Sequence, residues 1–105
     1  IVHIARNRSI LLVASSDLSH YHPYEEAVML DKLAINELKN LNSDMFIDKL
    51  EKKEFEACGG GPIAVVMKAS KQMGAKSAEV LHYCNSGDIS GDKSGVVGYL
   101  AAAFI

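Results

Sequence analysis

Two kinds of apolar pattern alternate along this chain, and their alternation limits its possible folds more than any other sequence feature. The aliphatic runs at Ser9–Ala14 and Val96–Ile105 are almost unbroken and predict strands covered on both faces. Side chains at Ala78–Asn85 alternate in character, which predicts a further strand. Helical patterns lie between these strands. The sequence therefore predicts an α/β layered sandwich with a mixed or mainly parallel sheet covered by helices.

Three helices are expected between the strands. Over His22–Asn40 apolar residues recur every three or four positions, and Pro23 suits the first turn of a helix. Asn42-Ser43-Asp44 is typical of the cap of a shorter helix. Pro62 favours the start of another helix, and Gly74 marks its expected end.

Composition excludes several classes of protein. The chain has 105 residues, of which 49% are hydrophobic and 23% charged, as in an ordinary globular domain. Its formal net charge of -2 argues against a nucleic-acid partner, and no apolar run is long enough for a membrane span. Cys58 and Cys84 lie far apart in sequence, which fits free thiols in the cytoplasm better than a structural disulfide. Because the chain begins at Ile1, we expect it to be a piece of a longer protein.

The run from Cys58 to Pro62, Cys-Gly-Gly-Gly-Pro, is the strongest turn signal in the chain. A thiol beside a helix N-terminus is favoured as a thiolate, so Cys58 could be a metal ligand, a nucleophile or a redox sensor. The alternative, a small buried apolar residue beside a turn, stands equally well on local features. A cysteine-dependent phosphatase would need an arginine six positions after the cysteine, where Ala64 stands. The run also lacks the ending of a nucleotide-binding P-loop.

A second polar cluster follows the first predicted strand. His20 and His22 lie close to Asp17 in sequence, and a histidine near a carboxylate can act as a general base. The two histidines could instead bind a metal. The alternative makes Asp17 and His22 turn and helix-cap residues and His20 a solvated loop residue; without further context this reading is the favoured one.

Three segments together resemble one known family. They are Ala14–Tyr21, then Cys58–Ile63, then Tyr83–Asp88 continuing through Gly91-Asp92 to Val96–Tyr99. In this order they resemble the Memo family, the mediators of cell motility of animals and AmmeMemoRadiSam protein B of prokaryotes. The resemblance covers essentially the whole chain but only the C-terminal part of a family member. Residues 1–105 are therefore expected to be the C-terminal portion of a single Memo-like α/β domain.

The resemblance implies a site. Memo proteins are similar to LigB-type class III extradiol dioxygenases, in which two histidines and a carboxylate hold non-haem iron and another histidine is the general base. In Memo proteins a cysteine takes the carboxylate's place. By motif this cysteine is Cys58, a metal ligand, and the base is His20 with Asp17 beside it. A thiolate ligand would favour iron(II) or copper(I).

The same resemblance leaves the activity open. The two histidine ligands of the family lie outside this chain, so the fragment is expected to bind no iron or copper and to be inert. The full-length parent would be a metal-dependent oxidoreductase acting on a small molecule. The alternative is a non-catalytic adaptor that binds a peptide in the same cleft. A truncated sheet would also favour self-association of the fragment.

Overall fold

The computed structural model describes residues 1–105 as five helices and three strands. The helices are α1 (Val2–Ala5), α2 (Tyr24–Lys39), α3 (Ser43–Glu51), α4 (Gly60–Gln72) and α5 (Ser86–Ser90). The strands are β1 (His20–His22), β2 (Ala78–Asn85) and β3 (Val96–Phe104). None of the helices combines the length and apolarity that crossing a lipid bilayer requires.

The three helices predicted from periodicity form close to their expected bounds. In α3 the side chain of Asn42 accepts a hydrogen bond from the Met45 amide at 3.0 Å, as its capping role predicts. Helix α4 begins at Gly60, before Pro62, and the chain reverses at Gly74, whose φ of 106° favours glycine. The predicted turn-rich loop after β2 contains α5, whose first turn is closed by a capping box between Asn85 and Asp88.

The α/β class is confirmed, but the prediction of a mixed or mainly parallel sheet is wrong. The strand order is β1-β3-β2, and both pairs are antiparallel. Only residues 86–95 connect β2 to β3. A parallel pair needs a crossover of about a dozen residues or more, usually with a full helix, so this connection returns the chain in the opposite direction.

The strand predicted at Ser9–Ala14 does not form. A strand needs a neighbour for its amides and carbonyls, but residues 9–14 pair with no strand, and beyond Gly98 one edge of β3 is left unpaired. A largely apolar groove of about 630 Å³ lies between residues 10–14 and β3. Leu11 and Val13 are 87% and 75% exposed as a result. The three-residue strand β1 takes the third place in the sheet instead.

The core lies between the helices and one face of the sheet. Its buried members come from α2, α3, α4 and the connections around them: Leu18, Ala34, Leu38, Leu41, Phe46, Phe55, Ala64 and Met67. The rings of Phe46 and Phe55 pack with centroids 5.1 Å apart. Because Leu18 and Phe55 are both fixed in this core, the polar residues that follow each of them are held at the same end of the molecule.

Candidate functional site

Three residues that the sequence analysis selected lie together. The ligand atoms of Asp17, His20 and Cys58 are all within 4.8 Å of one another. Asp17 and His20 belong to the segment that enters β1, whereas Cys58 lies just before α4. The structure therefore brings the two predicted loops to one place, although 41 positions separate Asp17 from Cys58 in the sequence.

Backbone hydrogen bonds lock these two loops together. The Cys58 amide donates to the Asp17 carbonyl at 3.3 Å, and the Asp17 amide donates to Cys58 Sγ at 3.2 Å. Beside them the Gly59 amide donates to Ser16 Oγ at 2.8 Å. A Cβ on Gly59 would come within 2.5 Å of the Ser15 carbonyl oxygen. This close approach needs glycine, which explains part of the Gly-rich run.

The surroundings of Cys58 suit a reactive or metal-binding thiol. Cys58 is exposed and free, so the reading of it as a buried apolar residue is wrong. Its sulfur accepts from the Asp17 amide and lies 3.7 Å from Ser16 Oγ. The sulfur is thus held by a neighbouring amide and remains open to solvent.

A bulge in β1 sets the directions of the two histidines. His20 is opposite Val97 and His22 is opposite Val96, so the two-residue step in β1 matches a single step in β3. Tyr21 takes up the difference with a φ of 63°. Bulges of this kind change the direction of side chains and are common beside functional sites.

Glu56 joins both histidines and was not selected from the sequence. Its Oε1 accepts from the His20 amide at 3.0 Å, and its Oε2 lies 2.8 Å from His22 Nε2. His22 Nδ1 lies 3.2 Å from Glu26 Oε1. The proposed capping role of His22 is therefore wrong: Pro23 is the N-cap of α2, and His22 is held between two carboxylates. No local pattern marks Glu56, because its partners are 34 and 36 residues away.

The ionisation of this pair follows from its contacts. The hydrogen bond to Glu56 raises the pKa of His22, and the charges of Glu56 and Glu26 add to this against the effect of burial. Partial burial pushes the pKa of Glu56 upward, but the hydrogen bonds from His22 and the His20 amide outweigh it, so the pKa of Glu56 is lowered. Both shifts favour an imidazolium–carboxylate pair.

The buried carboxylate of Asp31 holds the segment that leads into β1 in place. Asp31 is 1% exposed, and its Oδ1 accepts from the Ser19 amide at 3.0 Å. Its Oδ2 accepts from the Tyr83 hydroxyl, and burial together with Asp31 raises the pKa of Tyr83. A Cβ on Gly98 would come within 2.1 Å of Asp31 Oδ2. Asp31 therefore fixes the residue before His20 to α2 and the sheet.

An open cleft of about 420 Å³ adjoins the cluster. It is lined by His20, Leu50, Lys53, Phe55, Glu56, Ala57 and Cys58. The larger groove beside residues 10–14 has no acid, base or thiol in its lining. Of these two cavities, the smaller cleft combines reactive side chains with an apolar wall, the usual make-up of a small-molecule site.

Comparison with known proteins agrees with the motifs. The family model for Memo-like proteins matches residues 1–103. A MEMO1 family protein of Sulfolobus acidocaldarius is 44% identical over 97 residues, covering 92% of this chain and 34% of the relative. One from Methanocaldococcus jannaschii is 42% identical over 96 residues, covering 91% and 33%. One from Nitrosopumilus maritimus is 42% identical over 105 residues, covering 100% and 38%.

The chain spans between 33% and 38% of the length of these relatives. The match nevertheless extends over nearly all of the chain, including the loops that carry Asp17, His20 and Cys58. This chain belongs to the Memo-like protein family.

Proposed function

We propose that this chain supplies part of the metal site of an oxidoreductase related to ring-cleaving dioxygenases, with iron or copper as the metal. The convergence of Asp17, His20 and Cys58 within 4.8 Å carries the proposal. These three residues bring a carboxylate, an imidazole and a thiol together, and two of them, His20 and Cys58, line the cleft. Such a combination suits redox metals and acid–base chemistry.

In the proposal the metal ligands are Cys58 Sγ and two histidines from the rest of the parent protein. The ligand atoms of Asp17 and His20 lie within 4.8 Å of Cys58 Sγ, where they can act on a substrate bound beside the metal. The thiol makes the set softer than one of oxygen ligands alone, which favours iron(II) or copper(I) over magnesium or calcium. When bound, the metal would supply electron transfer and activation of oxygen.

The residues of this chain have distinct roles in the proposal. Cys58 holds the metal through Sγ. His20 accepts a proton from the substrate, and Asp17 Oδ2, 3.8 Å from His20 Nε2, stabilises the imidazolium that forms. Glu56 fixes the backbone of His20 through its amide. Two further histidine ligands are expected from the rest of the parent protein, so this chain alone would be inert.

The test is anaerobic reconstitution of the full-length parent with iron(II) and, separately, with copper(I). We expect metal to bind and Cys58→Ser to lose most of it. Cys84→Ser is the matched control and should keep the metal, because Cys84 lies on β2 outside the cluster. A parent protein that binds neither metal, or a Cys58→Ser variant that binds as much as the unaltered protein, would contradict the proposal.

A peptide-binding adaptor is a second candidate, favoured by the apolar residues on the wall of an open cleft. Leu50 and Ala57 lie there beside Cys58 and His20. Under this alternative, replacing His20 or Cys58 weakens the binding of a peptide, and removing metal changes nothing. Peptide binding that requires the metal would instead support the oxidoreductase.

A further inference from the structure

Lys53 is a cation without a carboxylate partner on the wall of the cleft that holds Cys58 and His20. Two other lysines lie near the end of α3, and both are paired. Lys49 Nζ contacts Glu37, and Lys52 Nζ lies 3.0 Å from Asp48. No carboxylate lies within ion-pair distance of Lys53. Its charge is therefore free to meet a ligand.

The backbone of Lys53 is unusual for a lysine. Its φ is 60°, in the left-handed region, directly after the α3 C-cap Lys52. The amides of Lys53 and Glu54 close the helix end by donating to the carbonyls of Leu50 and Lys49 at 3.0 and 3.1 Å. Glycine is the favoured residue for such a position. A lysine there is disfavoured by its backbone, which points to a role for its side chain.

The other residues that line the cleft indicate which kind of ligand Lys53 could bind. Leu50, Phe55 and Ala57 are apolar, and Glu56 is occupied by His22 and the His20 amide. Lys53 therefore carries the uncompensated charge of the cleft. The volume of about 420 Å³ lies within the range of small-molecule sites. An anionic group attached to a compact apolar body matches these surroundings.

We propose that Lys53 binds the carboxylate of a small organic acid whose apolar body lies against Leu50 and Ala57. The acid would thereby be placed beside Cys58 and His20. The proposal deepens the proposed function by naming the substrate class, and it rests on that function for the reaction. Binding of the acid itself requires only the cleft and Lys53.

Titration calorimetry of the metal-free chain with benzoate tests this, with benzamide as the uncharged counterpart. We expect benzoate to bind about fivefold more tightly than benzamide, the effect of one ion pair at a partly exposed site. Lys53→Met should lose that advantage. Lys52→Met is the matched control and should keep it, because Lys52 does not line the cleft. Equal benzoate binding by unaltered protein and Lys53→Met would overturn the proposal.

Lys53→Gly separates ligand binding from folding. It removes the cation and relieves the left-handed backbone, so it should unfold at the same or a higher temperature while binding benzoate as weakly as Lys53→Met. Unchanged benzoate binding by this variant would also overturn the proposal. If the parent protein binds no metal but benzoate still depends on Lys53, the oxidoreductase fails and the anion site stands. If the parent protein binds metal but benzoate binding does not depend on Lys53, the anion site is wrong and the oxidoreductase proposal stands.

Discussion

Glu56 controls the position of His20 and the ionisation of His22 through one carboxylate. Glu56→Gln keeps an oxygen for the His20 amide but removes the charge that faces His22. We expect the variant to lose about 1 kcal/mol of unfolding free energy or less, because the pair is partly exposed. Chemical denaturation of both proteins over a range of pH measures the loss.

The loss of unfolding free energy in Glu56→Gln should change with pH and be largest in an intermediate pH range. Because its pKa is raised in the folded protein, His22 contributes to the unfolding free energy. This contribution is complete below pH 6.5, the ordinary pKa of histidine, and disappears as the pH rises through the raised pKa. Because its pKa is lowered in the folded protein, Glu56 makes a second contribution to the unfolding free energy. This contribution is present above pH 4.5, the ordinary pKa of glutamate, and disappears as the pH falls through the lowered pKa. The difference between the proteins should therefore be largest between pH 4.5 and 6.5. A difference that does not vary with pH would contradict the ion pair.

Some residues of the site could be predicted from the sequence and others could not. Asp17, His20 and Cys58 lie in segments that resemble a known family, so their proximity could be expected. Glu56 and Lys53 lie in none of those segments. Glu56 acts through partners more than 30 positions away, and Lys53 matters because of its backbone conformation and its place on the cleft. Neither property leaves a local sequence pattern.

The start of α4 is fitted against the loop that carries Asp17. Gly59→Ala would place a Cβ 2.5 Å from the Ser15 carbonyl oxygen and 2.8 Å from Ser16 Cβ. We expect a loss of about 1–3 kcal/mol in unfolding free energy, because the backbone of the loop must move. Thermal or chemical denaturation measures this loss.

Gly61→Ala is the matched control for this change. No atom lies within 4 Å of a Cβ added at Gly61, and the residue is inside α4. Alanine is the better helix former, so this variant should be as stable as the unaltered protein or more stable by up to about 1 kcal/mol. Equal losses for the two substitutions would show that the Gly-rich run is not specifically fitted to Ser15 and Ser16.

Secondary structure was predictable where its cause was local. The stripe of α2, the cap of α3 and the alternation of β2 all come from neighbouring residues, and these elements formed. Ser9–Ala14 has strand-forming residues but lies across an apolar groove from β3 and pairs with no strand, so its composition alone could not make it a strand. Strand β1 has three residues, too few to show a pattern, and forms because β3 offers it a partner.

The molecule as a whole is open for its length. Its radius of gyration is 14.4 Å, whereas a compact domain of this size has about 13 Å, and only 19 of 105 residues are buried. The apolar groove beside Leu11 and Val13 accounts for part of this openness. The relatives that the chain matches are about three times as long, and the chain covers 34% and 33% of two of them.

An open apolar groove and an unpaired sheet edge should make the isolated chain self-associate. We expect sedimentation velocity to show species larger than a monomer that increase with concentration. Replacing both Leu11 and Val13 by Lys should shift the protein towards monomer. Ile89→Lys is the control, since Ile89 is 78% exposed but does not line the groove. A monomer at all concentrations would contradict this expectation.

The bond from the Asp17 amide to the sulfur of Cys58 has one more consequence. Oxidation, alkylation or metal loading at that sulfur changes the electron density that the amide proton faces. The adjoining carbonyl of Asp17 receives the Cys58 amide, so the two peptide groups respond as a pair. The chemical shift of the Asp17 amide should therefore report whether the thiol of Cys58 is free, oxidised, alkylated or metal-bound.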